Sequence, residues 1–212
     1  MIGKKGREII VLIFLLIWSS INSNLWSSPI QISPGVKFGG GLSNIFGQDT
    51  FEQQWQISAA AGIFLDIMMS KSIHLQPEIF WFRKGSKTTL SQDQLSYQEK
   101  LFLDYLQIPL YLKLYFLDSH RFRFYIYGGP AIAFNLKARL KVTFDGLNES
   151  VEVYNLKGND FLLSSGIGTE FRIRPGSLLL EFRYEEGLKS VSTDIQSDIK
   201  NRNLSIIAGY KF

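Results

Sequence analysis

The sequence contains no cysteine, which excludes disulfides, thiolate metal sites and a lipid-modified cysteine at the N-terminus. It has only two histidines, His74 and His120, and neither sits in a metal-ligand spacing. No metal, no cofactor and no catalytic residue is expected. Past residue 23 there is no apolar run long enough to cross a membrane as a helix. A basic stripe is also missing, so no nucleic-acid partner is expected. Glycines cluster at Gly39–Gly41 and Gly128–Gly129 without a following helical pattern, which argues against phosphate loops.

The N-terminus reads "MIGKKGREIIVLIFLLIWSSINSN". A basic start, a ten-residue apolar run from Ile9 to Trp18 and a small polar stretch have the layout of a secretory signal peptide. The expected organisation is a signal peptide at 1–23, a short N-terminal segment at 24–33 and one domain at 34–212. Loss of residues 1–23 takes away three basic residues and one acidic, so the formal charge falls from +4 to +2.

The remainder alternates. "QWQISAAAGIFLDI" puts Trp55, Ile57, Ala59, Ala61, Ile63, Leu65 and Ile67 on one face, and "LLLEFRYEEG" separates Leu178, Leu180 and Phe182 from Glu181 and Arg183. A period of two means strands. Eight such segments are expected at 34–43, 54–68, 71–84, 99–117, 121–138, 159–173, 177–189 and 201–212. Tight connections near 69–72, 117–120 and 174–177 alternate with long polar ones at 44–53, 85–98, 139–158 and 190–200. That rhythm fits an all-β fold, an eight-stranded antiparallel up-and-down transmembrane β-barrel with short inner turns and long outer loops. Each segment is long enough for a tilted membrane strand. Trp55, Trp81, Phe134, Phe161 and Tyr184 fall near one rim. Phe116, Phe122, Phe124, Phe171, Tyr210 and Phe212 fall near the other, as two interfacial girdles would.

An eight-stranded barrel has an interior that side chains fill. The inward positions hold Asp66, Glu78, Glu170, Glu181 and Glu185 with Lys113, Arg123, Arg172, Arg183 and Lys211. Buried charges must be paired, so a lumenal network is expected, centred on Glu170, Arg172, Glu181 and Arg183 and including Tyr111, Tyr115, Tyr125 and Tyr127. "KARLKVTFDGLNESVEVYNLKGND" keeps alternating around a DG turn signal, which predicts that strands five and six continue past the membrane as a hairpin.

The stretches "GVKFGGGLSNI", "HLQPEIFWFRKG", "LDYLQIPLYLKLYF", "FYIYGGPAIAF", "LLSSGIGTEF" and "IIAGYKF" resemble the small outer-membrane β-barrel domain family, the PorT-like or porin-family proteins of Gram-negative bacteria. The resemblance covers nearly all of the chain after residue 23. It implies a multi-pass barrel in the outer membrane, in contact with its lipid. It also implies an assembly signal at Gly209, Tyr210 and Phe212, read by the barrel-assembly machinery. A structural, surface-binding or envelope-assembly role is expected, with a narrow filled lumen and no general diffusion pore. A surface ligand or protein would meet loops 85–98 and 139–158. The alternatives are a transport or secretion accessory, a lipid-modifying barrel enzyme and a soluble ligand-binding barrel. Ser164 and Ser165 lack a nearby His–acid pair and an elbow motif, so no enzyme is expected.

Overall fold

A computed structural model describes residues 30–47, 54–92, 95–144, 147–152, 158–189 and 199–212. The expected signal peptide lies outside the described residues. So do the DG turn at 145–146 and most of the connections at 44–53 and 190–200. The described strands are β1 (Gln31–Gly47), β2 (Gln56–Met68), β3 (Ile73–Gln92), β4 (Leu95–Asp118), β5 (Phe122–Phe144), β6 (Leu147–Glu152), β7 (Asn159–Arg172), β8 (Ser177–Gly187) and β9 (Ile199–Lys211).

All pairings are antiparallel, and the order β4-β3-β2-β1-β9-β8-β7-β5 is closed by pairing of β4 with β5. The wall therefore has eight positions. One edge of β5 is shared by two strands: Phe122–Phe134 pairs with β7, and Arg139–Phe144 pairs with β6. The expected hairpin of strands five and six is this β5–β6 pair. Closure leaves no unpaired edge within the wall, the condition for a sheet to sit in hydrocarbon.

Side-chain distribution is the reverse of a water-soluble protein's. Along β8, Glu181, Arg183 and Glu185 are buried while Leu178, Leu180 and Phe182 are exposed. The same inversion runs through β3 and β4, where Ile79, Ile108, Leu110 and Leu112 face outward and Gln76, Glu78, Gln107 and Lys113 face in. Only an apolar solvent makes that arrangement favourable. Three tight turns share one rim, closed by bonds from Ser70 N to Ile73 O (3.0 Å), Ser119 N to Phe122 O (2.9 Å) and Ile173 N to Gly176 O (2.9 Å). At the same rim Phe212 N donates to Pro34 O at 2.9 Å, so the C-terminus is tied to β1. Short turns at one rim and longer extensions at the other are the asymmetry typical of membrane barrels.

Two expectations are corrected. The segment 85–98 is not a loop: β3 and β4 stay paired from Arg83↔Asp104 up to Gln92↔Leu95. Lys87, Thr88, Thr89, Gln98 and Glu99 carry no apolar alternation because an extension above the apolar wall needs no hydrocarbon-facing side, so the usual strand signal is absent. Likewise β1 begins at Gln31 rather than 34.

Candidate functional site

The lumen is built from the inward residues in layers. At its centre Lys37 Nζ lies 2.6 Å from Glu78 Oε1 and 2.7 Å from Glu181 Oε1. Arg183 Nη2 lies 2.9 Å from Glu78 Oε2 and 3.2 Å from Glu181 Oε2. All four side chains are fully buried. Two acids meet two bases, so the layer is neutral. Further donors complete it: Gln76 to Glu78 (2.7 Å), Tyr125 to Glu181 (2.8 Å) and Arg183 Nε to the Tyr127 hydroxyl (3.2 Å). The guanidinium also lies over the Phe80 and Tyr111 rings, 5.2 and 4.8 Å from their centroids. Gly166 and Gly168 make room for the tyrosines. A Cβ on either would sit 2.5 Å from the ring of Tyr127 or Tyr125.

Toward the short-turn rim, Asp66 accepts from His74 Nδ1 at 2.5 Å and from Lys211 at 3.3 Å, with Lys113 at 3.6 Å. Glu170 pairs with Lys211 at 2.7 Å and accepts from the Tyr115 hydroxyl at 2.8 Å. Toward the other end, Lys84 Nζ lies 3.0 Å from Glu185, which also accepts from Ser164 and Asn203. Asn201 there bridges Tyr105 and Asp160. Phe80, Phe82, Leu103, Leu162 and Ile207 fill the space between.

Asp66, Glu78, Lys113, Glu170, Glu181 and Arg183 thus lie inside the barrel. Arg123 lies at its lower end, donating to Lys71 O and pairing with Asp118. Arg172 is a correction. It has the inward parity but sits past the last layer, exposed at the rim, 2.8 Å from Asp118. The expected cluster of Glu170, Arg172, Glu181 and Arg183 does not form, because β7–β8 register sets Glu170 against Leu179 and Glu181 against Gly168. Sequence reasoning missed Lys37 and Lys84. Lys37 alternates against Val36 and Phe38, and Lys84 shares the parity of Phe80 and Phe82. Parity alone could have found both. Among the described residues no group of three or more potential ligands is placed to hold a metal ion.

Gly209 pairs with Lys37 on β1 and Leu179 on β8. Tyr210 and Phe212 stack edge to face with centroids 5.1 Å apart, at the rim where β9 closes onto β1. On the opposite rim the wall is uneven. Pairing of β2 with β3 ends at Arg83, while β3, β4, β5 and β6 continue as a protruding four-stranded sheet. From the Trp81 row to Gln92 this sheet rises about 30 Å, given strand rise and tilt.

The model of a family described as "Outer membrane protein beta-barrel domain" matches residues 23–193. No curated protein matches the sequence. Among solved structures, Ail, the attachment invasion locus protein of Yersinia pestis, in complex with the heparin analogue sucrose octasulfate, is similar at 12% identity and TM-score 0.43. The match covers 86% of this chain and 99% of that one. Neisserial surface protein A is similar at 14% identity and TM-score 0.47, over 86% and 99% of the two chains. A major outer membrane protein from Thermus thermophilus is similar at 11% identity and TM-score 0.49, over 86% and 100%.

Proposed function

We propose, from the premise that this chain belongs to the outer-membrane β-barrel domain family, that it is a plugged barrel serving as a rigid anchor for a surface-binding sheet. Its work is binding rather than catalysis or diffusion. The observation that carries this reading is the continuation of β3, β4, β5 and β6 beyond the wall as a paired sheet. Paired strands hold side chains in fixed register, which suits recognition better than a mobile loop. The plug supports the same reading, since a water-filled channel would not need Lys37, Glu78, Glu181 and Arg183 locked across it at hydrogen-bond distance.

Planar-bilayer recording tests the plug. The purified protein is expected to give no steady channel conductance. Large, long-lived open channels would overturn the reading and favour a transport role.

The C-terminal strand fits a recognition signal for the barrel-assembly machinery, because Tyr210 and Phe212 present adjacent aromatic rings at the closing seam. Replacing Tyr210 by Asp, or deleting Phe212, is expected to lower the outer-membrane yield. A charge near the interface costs on the order of 1 kcal/mol or less in the folded barrel. A yield falling much further than stability would therefore point to recognition. Normal insertion of both variants would refute the assignment.

A further inference from the structure

The outer face of the protruding sheet changes character in successive rows. Ile79, Ile108 and Ile132 are exposed on the wall, with Ile108 and Ile132 paired across β4 and β5. Above them Trp81, Leu106 and Phe134 form one row. The next row sets Arg83 beside Asp104 and Lys137, and the one above sets Phe102 beside Arg139 and Glu152. Two residues higher, Lys87 pairs with Lys100 and Lys100 with Lys141. These side chains share the outward face, because the intervening Lys84, Ser86, Leu103 and Ala138 are buried.

The six bases face two acids, and both acids are used. Asp104 takes Arg83 at 2.7 Å and Arg139 at 3.7 Å, and Glu152 takes Lys137. Among the described residues, Lys87, Lys100 and Lys141 have no acidic partner. Like charges directly opposite each other on a sheet are destabilising. Edge protection does not account for the row. Lysines guard open edges, yet Lys100 and Lys141 stand on β4 and β5, each paired on both sides at this height.

We propose that this face binds the phosphate-bearing headgroup of an outer-leaflet glycolipid, with its acyl chains against the Ile79–Ile108–Ile132 wall. The inference rests on the reading that the sheet stands outside the membrane. The vertical order of apolar wall, aromatic row and basic rows is that of an amphiphile. The lower basic row stands about 5 Å and the lysine row about 15 Å above the aromatic row. The basic rows stand directly above a wall that faces lipid, so a headgroup of the same leaflet reaches them while its chains stay in the membrane. Bound phosphate would also relieve the lysine repulsion.

The test is native mass spectrometry of the full protein in detergent, titrated with lipid A carrying both phosphates and with its dephosphorylated form. The phosphorylated lipid is expected to bind more tightly. Replacing Lys87, Lys100 and Lys141 together by Gln should weaken binding about a hundredfold, from roughly 1 kcal/mol per base near an anionic surface. The single variant Lys100→Gln should melt higher than the wild type without lipid and lose that advantage when lipid is present. Equal binding of the two lipid forms, or unchanged binding by the triple variant, would overturn the inference. Displacement of the lipid by a sulfated polysaccharide at lower concentration would assign the face to a soluble glycan instead. If the triple variant does not fold, the phosphate preference of the wild type and the Lys100→Gln melts decide. Labelling of the single cysteine of a Glu149→Cys variant, at an exposed position, by a membrane-impermeant maleimide on intact cells reads the underlying premise separately. Labelling with no phosphate preference would sink this inference alone.

Discussion

Replacing Arg183 by Ala should destabilise the barrel by roughly 3–5 kcal/mol, because it leaves a fully buried carboxylate without its partner. Glu78 and Glu181 would then keep their neutral donors Gln76 and Tyr125 but share one paired cation, Lys37, in a layer sealed by Phe80, Tyr111 and Tyr127. Urea unfolding in micelles, followed by the gel-mobility difference between folded and unfolded barrel, reads the loss directly. The double variant Arg183→Ala with Glu78→Gln should recover part of it, since the orphaned charge is removed. A cost below about 1 kcal/mol, typical of an exposed pair, would show that the centre of the barrel is wetted. It would also remove the physical basis for a plug.

A second large effect is expected at two adjacent glycines that the sequence does not distinguish. A Cβ on Gly129 would lie 1.9 Å from the Leu110 carbonyl oxygen and 3.2 Å from Tyr111 Cα, so β4 and β5 could not keep their spacing. A Cβ on Gly128 would meet nothing nearer than Ser164 O at 3.3 Å. Gly129→Ala should therefore cost about 3 kcal/mol, the upper range for overpacking, or prevent closure. Gly128→Ala should fold with little change. The clash is with backbone, which cannot rotate away as a side chain would. Equal behaviour of the two variants would mean that β4 and β5 are farther apart here than described. Pro109 and Pro130 flank the region, and the absence of their N–H groups already thins the ladder at this point.

How much of this was legible beforehand differs by element. Within lipid, each strand has one apolar face and one interior face. Alternation therefore marks the eight membrane segments, their order and their tight turns from residues such as Leu178–Leu180–Phe182 against Glu181–Arg183. Parity also places Asp66, Glu78 and Lys113 inside. It does not identify partners. Glu78 on β3 and Arg183 on β8 are 105 residues apart, and four steps separate their strands around the wall. They meet across the lumen, so neighbouring-strand logic pointed to Glu170 and Arg172 instead. Arg172 shares the inward parity, yet it ends at the rim because only register decides how far along the axis a residue stands.

The outer sheet was hidden for a related reason. Above the aromatic row β3 and β4 need no hydrocarbon-facing side, so Lys87, Thr88, Gln98 and Glu99 read as loop. Pairing from Arg83↔Asp104 to Gln92↔Leu95 is a property of two strands already aligned by the wall below. Membrane solvent writes its period of two into the local sequence, so fold and location could be read there. Axial position and the Lys87–Lys100–Lys141 row depend on strand register, and cross-lumen pairing on closure. No single stretch of the chain encodes them.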